Sequence, residues 1–162
     1  MRIPNNKIWY TSDSILNLTE KFCFDVIVSN TYSNGRGIIE FKDDVTKITD
    51  SAFKDCSDIT SIILPNSVTS IGEDAFRDCT GLTSVTIPNS VMSIKDGAFA
   101  GCTSLATITI PNSVTYIGQG AFSGCTSLAS ISIPNSLTSI ENCAFYGCTG
   151  LTSITIPNSI VS

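Results

Sequence analysis

Hydrophobic residues recur along most of this chain at a constant interval of 23 residues, without an insertion between repeats. The clearest pattern is an alanine followed by a phenylalanine, with a cysteine three residues later. These columns comprise Ala52-Phe53, Ala75-Phe76, Ala98-Phe99, Ala121-Phe122 and Ala144-Phe145, and Cys56, Cys79, Cys102, Cys125 and Cys148. A fixed interval of roughly 20–50 residues is typical of a solenoid, in which stacked coils build one continuous core. We therefore expect residues 38–162 to form a solenoid whose last repeat is incomplete.

Within each repeat, the apolar positions predict two short strands. In one coil the first strand lies between Leu82 and Ile87, and the second between Val91 and Ile94. The sequence Pro88-Asn89-Ser90 separates them, because proline ends a strand and asparagine and serine favour a turn. From Lys95 to Cys102 we expect a short helical or 3-10 turn, whose Phe99 fills the interior of the coil.

The repeated pattern Leu-x-x-Ile-x-Ile-Pro-Asn-Ser-Val-x-x-Ile-x-x-x-Ala-Phe-x-x-Cys resembles the BspA-like leucine-rich repeats. The resemblance covers about three quarters of the chain, from Ile39 onward. It implies a strand-dominated α/β fold: a leucine-rich-repeat solenoid of short parallel strands and short helical or 3-10 turns. It also implies surface proteins of bacteria and some protozoa that bind host matrix proteins or other cells. The family shares no catalytic residues.

Residues 1–37 do not follow the repeat. One short strand is predicted from Lys7, and a second from Phe24 to Tyr32. The turn sequence Ser33-Asn34-Gly35-Arg36-Gly37 then precedes a further strand. Because a solenoid exposes its core at each end, we expect this segment to be an N-terminal β-hairpin cap. Trp9 is interpreted as an aromatic of the cap core, with ligand stacking as the alternative.

Composition narrows the classes of partner. Only 14% of residues are charged, the net charge is −5, and Glu141 is the only charged residue beyond Asp96. Without a basic patch, we expect no nucleic acid partner. Without an apolar run of about 18 residues, we expect no membrane insertion. The resemblance implies a cell-surface or secreted protein, whereas the lack of a signal peptide in this sequence leaves a cytoplasmic location as the alternative.

The seven cysteines do not suggest a disulfide framework, because five of them share one repeat column and only Cys23 and Cys143 lie outside it. We expect a buried, reduced ladder of thiols. Zinc is the alternative, but the chain has no histidine and no Cys-x-x-Cys. The absence of histidine also excludes Ser-His and Cys-His nucleophile pairs, so we predict that the protein is not an enzyme and has no cofactor.

The outward positions of the first strand in each repeat are the candidate binding residues. Nine of these ten positions are serine or threonine, namely Ser61, Ser84, Thr86, Thr107, Thr109, Ser130, Ser132, Ser153 and Thr155, and Ile63 is the exception. This hydroxyl stripe is consistent with solubility and β-propensity alone. The functional alternatives are a face that binds a protein or glycan ligand and, because of Thr107-x-Thr109, ice binding.

An acidic column is the second candidate. Asp50, Glu73 and Asp96 occupy equivalent positions, close to the basic column of Lys54 and Arg77. Mutual neutralisation of these charges on a solvated surface is the simpler hypothesis. A weak Ca²⁺ site is the alternative.

The end of the sequence adds one further expectation. Ile160-Val161-Ser162 aligns with Val68-Thr69-Ser70, so the last repeat stops before its next core isoleucine. We expect either a fragment of a longer array or end-to-end self-association through the uncapped C-terminus. The overall prediction is a non-catalytic binding module, most simply a surface adhesin for a matrix protein, a glycan or another cell. The alternative is a structural or intracellular scaffold array that binds other proteins.

Overall fold

A computed structural model describes residues 4–16 and 27–161. Within these residues the chain forms eleven strands joined by turns, and it contains no helix. The strands are β1 Lys7–Ser12, β2 Ile27–Ser33, β3 Arg36–Phe41, β4 Lys47–Ile48, β5 Ile59–Ile63, β6 Ser70–Ile71, β7 Ser84–Thr86, β8 Ser93–Ile94, β9 Thr107–Thr109, β10 Tyr116–Ile117 and β11 Ser130–Ser132. The fold is therefore the strand-dominated solenoid of stacked coils that the repeat predicts.

Four successive coils each contribute two short strands, which pair in parallel with strands of neighbouring coils. Strands β4, β6, β8 and β10 form one parallel sheet. On the other side of the coils, β5 pairs with β7, and β9 pairs with β11. The partners are equivalent residues of successive repeats, such as Ser61 and Ser84, so the register of the sheets repeats the 23-residue interval of the sequence.

The expected helical or 3-10 turn is not confirmed. Between Lys95 and Cys102 the chain makes successive turns, with Gly97 and Gly101 in the left-handed region at φ 60° and 72°. The N–H of Phe99 donates to the carbonyl of Ala121 in the next coil, at 2.8 Å. A helix would direct these N–H groups to its own carbonyls. The N–H groups of Ala98, Ala100 and Cys102 donate instead to carbonyls three residues back in the same segment. Stacking of the coils therefore takes every second bond that a helix needs.

A ladder of stacked phenylalanines fills the interior. The rings of Phe53, Phe76, Phe99, Phe122 and Phe145 lie nearly parallel, with successive centroids 5.1, 5.2, 5.5 and 5.7 Å apart. The first four are fully buried, and Phe145 is half-buried. Phe76, Phe99 and Phe122 each contact the ring of the coil before and the ring of the coil after, so the core is continuous along the ladder.

The cysteine column lies beside this ladder. Cys79, Cys102, Cys125 and Cys148 are buried, whereas Cys56 is half-buried, and no disulfide bond joins the six cysteines of the described residues. Each buried thiol donates to the carbonyl of a phenylalanine in the preceding coil, as Cys102 Sγ does to Phe76 at 3.1 Å. Burial raises the pKa of Cys102 far above its usual range and that of Cys125 to about 12. Cys23 lies outside the described residues.

The N-terminal residues join strand β5 by antiparallel pairing. Strands β2 and β3 form a hairpin at Asn34-Gly35, and β3 pairs with β1. Strand β1 in turn pairs with β5 of the first coil, giving the sheet order β2-β3-β1-β5-β7. The division into a cap of residues 1–37 and a solenoid of residues 38–162 stays a prediction, and β3 runs across it. The part of the predicted strand between Phe24 and Val26 lies outside the described residues.

Candidate functional site

The hydroxyl stripe lies on the outer surface of strands β5, β7, β9 and β11 and of the coil that follows them. In β7 and β9 the middle residue faces the core, as buried Ile108 shows, and its two neighbours face solvent. An isolated bridge between Ser132 and Thr155 continues the ladder beyond β11. The exposed members of the stripe are Ser84, Thr86, Thr107, Thr109, Ser130, Ser132, Ser153 and Thr155.

Other serine and threonine columns bind the coils to one another, and this distinguishes them from the stripe. The hydroxyl of Ser90 donates to the carbonyl of Val68 at 2.6 Å, and that of Thr83 donates to Thr60 at 2.9 Å. Among the residues that the structure describes, the eight exposed hydroxyls of the stripe make no side-chain hydrogen bond. Their donors and acceptors are therefore free for a ligand or for water.

Ser61 differs from the rest of the stripe. It is half-buried because β1 lies beside β5, and its hydroxyl is 2.7 Å from that of Thr11. Thr11 is also 2.7 Å from the hydroxyl of Thr60. Ser61 is thus used by the fold, and the free part of the stripe begins at Ser84.

The structure extends this outer face onto the N-terminal strands. Trp9 pairs with Ile38 on one side and with Ile63 on the other, which places the three side chains on one face. The expectation that Trp9 belongs to the core is wrong: Trp9 is half-buried and absent from the core cluster, while its neighbours Ile8 and Tyr10 belong to it. A one-residue change of strand register reverses which side chains face inward, and no repeat fixes the register of β1. The sequence did contain one indication of this apolar surface: Ile63 is the only apolar residue among the ten outward positions of the stripe.

These residues border an open recess of about 480 Å³. Trp9, Ile38 and Ile63 contribute its apolar surface, and Thr11, Ser61 and Arg36 lie beside them. The Nε1 atom of Trp9 is buried and has no hydrogen-bond partner among the described residues. The recess is the most apolar part of an otherwise hydroxyl-rich face.

The acidic column joins neighbouring coils. A carboxylate oxygen of Asp50 accepts from the N–H of Glu73 at 2.8 Å, and Asp96 accepts from Gln119 at 3.0 Å. Lys54 pairs instead with Asp74 at 3.0 Å. Among residues 4–16 and 27–161, no three Cys, Asp or Glu side chains lie together so as to hold a metal ion. This geometry gives the Ca²⁺ and zinc alternatives no support.

The repeat identifies the family. Residues 46–162 match the BspA type leucine rich repeat region in 6 copies. The chain belongs to the BspA-type leucine-rich repeat family. The expectation from the repeated pattern is confirmed. In the part of this BspA-type protein that the structure describes, no helix is long and apolar enough to span a bilayer.

Solved structures of other repeat proteins are similar to this BspA-type chain. A leucine rich repeat protein of T. pallidum is 38% identical with a TM-score of 0.69, covering 70% of this chain and 53% of that one. A leucine rich cell surface protein of Faecalibacterium prausnitzii is 39% identical with a TM-score of 0.67, covering 69% and 30%. A leucine-rich repeat protein of Bacteroides ovatus is 34% identical with a TM-score of 0.54, covering 83% and 39%.

The BspA-type chain therefore spans about half or less of the length of these relatives. Comparison with curated proteins finds no match. The names of the solved relatives describe repeat proteins and state no enzymatic activity. Assignment to the family thus supports a scaffold for protein interaction, and the ligand has to be argued from the face itself.

Proposed function

We propose that this protein is a non-catalytic binding module whose ligand, a protein or a glycan, lies across the hydroxyl stripe. The observation that carries this proposal is the division among the serine and threonine columns. Most hydroxyls of the columns that hold the coils together are bonded, as those of Ser90 and Thr83 are, whereas the stripe from Ser84 to Thr155 presents hydroxyls without a partner among the described residues. Strand pairing between coils, as between β9 and β11, positions the backbone of these residues, so a ligand has less to order on binding.

The proposed setting is a cell surface, where the module acts as an adhesin toward a matrix protein, a glycan or another cell. The Faecalibacterium prausnitzii relative is described as a cell surface protein, and this chain covers 30% of it. A structural or intracellular scaffold is the alternative, because the same face would serve a cytoplasmic partner. The buried thiols suit either setting, since their burial in the core protects them from oxidants.

Two charge-matched variants test whether the stripe binds. The first carries Thr86→Glu, Thr109→Glu and Ser132→Glu on the stripe. The control carries Asn89→Glu, Asn112→Glu and Asn135→Glu at exposed positions of the Pro-Asn-Ser turns. Both add three negative charges, so the difference between them reports the location of the surface.

The measurement is binding to immobilised collagen, laminin and fibronectin and to a panel of glycans. We expect the wild-type protein and the turn variant to bind the same ligand within about twofold, and the stripe variant to bind at least about tenfold more weakly, because three carboxylates on a buried interface remain unpaired. Equal binding by both variants would show that the stripe is not the site. If the wild-type protein binds nothing in the panel, the scaffold alternative is favoured.

Self-association is a second proposal, supported by the last coil. Ile156 is 47% exposed and Val161 is 83% exposed, and Leu151 and Ile154 are half-buried. We propose that two copies of the isolated chain cover these side chains by end-to-end contact. Light scattering tests this: the average mass should rise with concentration, and a monomer at every concentration would exclude it.

A further inference from the structure

The N-terminal end of the outer face differs in chemistry from the rest of it. Ile38, Trp9 and Ile63 form a row across three neighbouring strands, and the same row continues as Thr86 in β7. We name these three residues the Trp9 patch. Ile63 is 37% exposed, at a position where the other four repeats have threonine or serine. Adjacent strands lie about 4.8 Å apart, so the patch is roughly 10 Å wide, enough for one large side chain of a partner.

A cation that has no partner among the described residues lies beside the patch. Arg36 pairs with Thr11 in the neighbouring row and is exposed. Its guanidinium makes no ion pair or hydrogen bond to any residue that the structure describes. The other cation of this face, Lys7, is 3.3 Å from the carboxylate of Glu40. An arginine that has no partner among the described residues and lines an apolar recess favours a ligand group that is itself an anion.

We propose, on the basis of the binding function above, that the Trp9 patch anchors an extended protein segment carrying an aliphatic side chain next to a carboxylate. The aliphatic group covers the patch, and the carboxylate receives the N–H groups of Arg36. Tryptophan and arginine are the residue types that most often dominate the energy of an interface. The remainder of the segment crosses the free hydroxyls that begin at Ser84.

A sugar fits this end of the face less well than a peptide. Thr11 and Ser61 are the hydroxyls nearest the patch, and they are bonded to each other at 2.7 Å. A carbohydrate needs many hydrogen-bond partners, whereas an aliphatic side chain needs apolar contact, which the recess supplies.

The experiment uses the intact chain and two small probes, N-acetyl-leucyl-aspartic acid amide and its matched asparagine analogue. Trp9 is the only tryptophan, so its fluorescence and its indole N–H resonance report the patch directly. We expect the aspartyl probe to shift the indole resonance and to bind about threefold more tightly than the asparaginyl probe, as one exposed ion pair allows. The Arg36→Gln variant should abolish that preference.

Ile63→Thr is the second variant, because threonine occupies the equivalent position in Thr86 and Thr109 and the coil accepts it. It should weaken both probes, whereas Asn112→Ala, at an exposed position of a Pro-Asn-Ser turn outside the stripe, should weaken neither. The inference is overturned if neither probe moves the indole resonance, if Arg36→Gln keeps the preference, or if methyl glucuronide shifts that resonance at lower concentration than the peptides.

The inference and the proposed function fail differently. Both variants are compared for binding to a matrix protein or glycan that the wild-type chain binds. If the variant with glutamate at Thr86, Thr109 and Ser132 loses binding while Ile63→Thr binds fully, the anchor is refuted and the stripe is retained. If the dipeptide probes bind at Trp9 but the three glutamates do not weaken binding of the larger ligand, the stripe is refuted and the anchor is retained.

Discussion

Replacement of Phe99 by alanine tests the phenylalanine ladder. Phe99 is fully buried, and its ring lies 5.2 Å from that of Phe76 and 5.5 Å from that of Phe122. Truncation of a buried phenylalanine costs about 3–5 kcal/mol, including the cavity that it leaves. Each of the two ring contacts accounts for about 0.5–1.5 kcal/mol of that loss.

Phe145 provides the matched control in the same column. It is half-buried, and among the described residues its only ring neighbour is Phe122, at 5.7 Å. Because less apolar area leaves water and one ring contact is lost instead of two, Phe145→Ala should cost roughly 1–2 kcal/mol. The two substitutions remove the same atoms, so the difference between them measures the effect of position in the ladder.

Urea denaturation, followed by far-ultraviolet circular dichroism, measures the loss of stability in both variants. With an m-value of about 2 kcal/mol/M, Phe99→Ala should lower the midpoint by roughly 1.5–2.5 M and Phe145→Ala by roughly 0.5–1 M. Trp9 fluorescence, recorded in parallel, shows whether the N-terminal strands unfold in the same transition, which is not assured in a repeat array. Equal losses of stability would refute the ladder as the main source of cohesion between coils.

Three further predictions follow from the packing. Gly37→Ala should destabilise the protein by about 1–3 kcal/mol, because its methyl group overlaps the ring of Tyr10; thermal melting measures this, and an unchanged Tm would contradict it. Iodoacetamide at about pH 8 should modify exposed Cys143 in the native protein and leave Cys102 and Cys125 unmodified until urea is added, as peptide mass spectrometry will show. Burial raises the pKa of Cys125 from 9.0 to about 12, so its thiol remains protonated in the folded state while the unfolded thiol ionises. The free energy of unfolding should therefore fall as pH rises from about 9 to about 12, by up to about 1.4 kcal/mol per pH unit for this thiol, and Cys125→Ala should reduce that slope.

The repeat columns made most of the solenoid predictable. Two strands per coil, the inward phenylalanines and the buried thiols all follow from which positions stay apolar at each 23-residue step. The segment around Phe99 was harder, because its helical spacing of apolar residues competes with hydrogen bonds to the next coil, and a sequence does not display those bonds. Bonding across coils also gives Asp50 and Asp96 their roles, which their charge alone did not indicate.

The N-terminal strands mark the limit of prediction from a single sequence. Strands beginning at Lys7 and ending at Tyr32 were recognisable from composition, but no repeated column showed that β1 would lie beside β5. That pairing decides that Trp9 faces outward and Ile8 faces inward. The apolar end of the candidate site therefore arises from a contact between distant segments, and it became visible only in the structure.

The constant register between coils has a consequence for how the length of such a molecule can change. Each repeat pairs with the next at equivalent residues, so a coil can be inserted or removed whole without altering the bonds of its neighbours. Every such step lengthens or shortens the outer face by about 4.8 Å and adds or removes one pair of outward positions, which are hydroxyls in four of the five coils. The length of the face and the number of its hydroxyl pairs thus change by one coil at a time. The apolar end at Trp9 occurs once, whatever the number of coils.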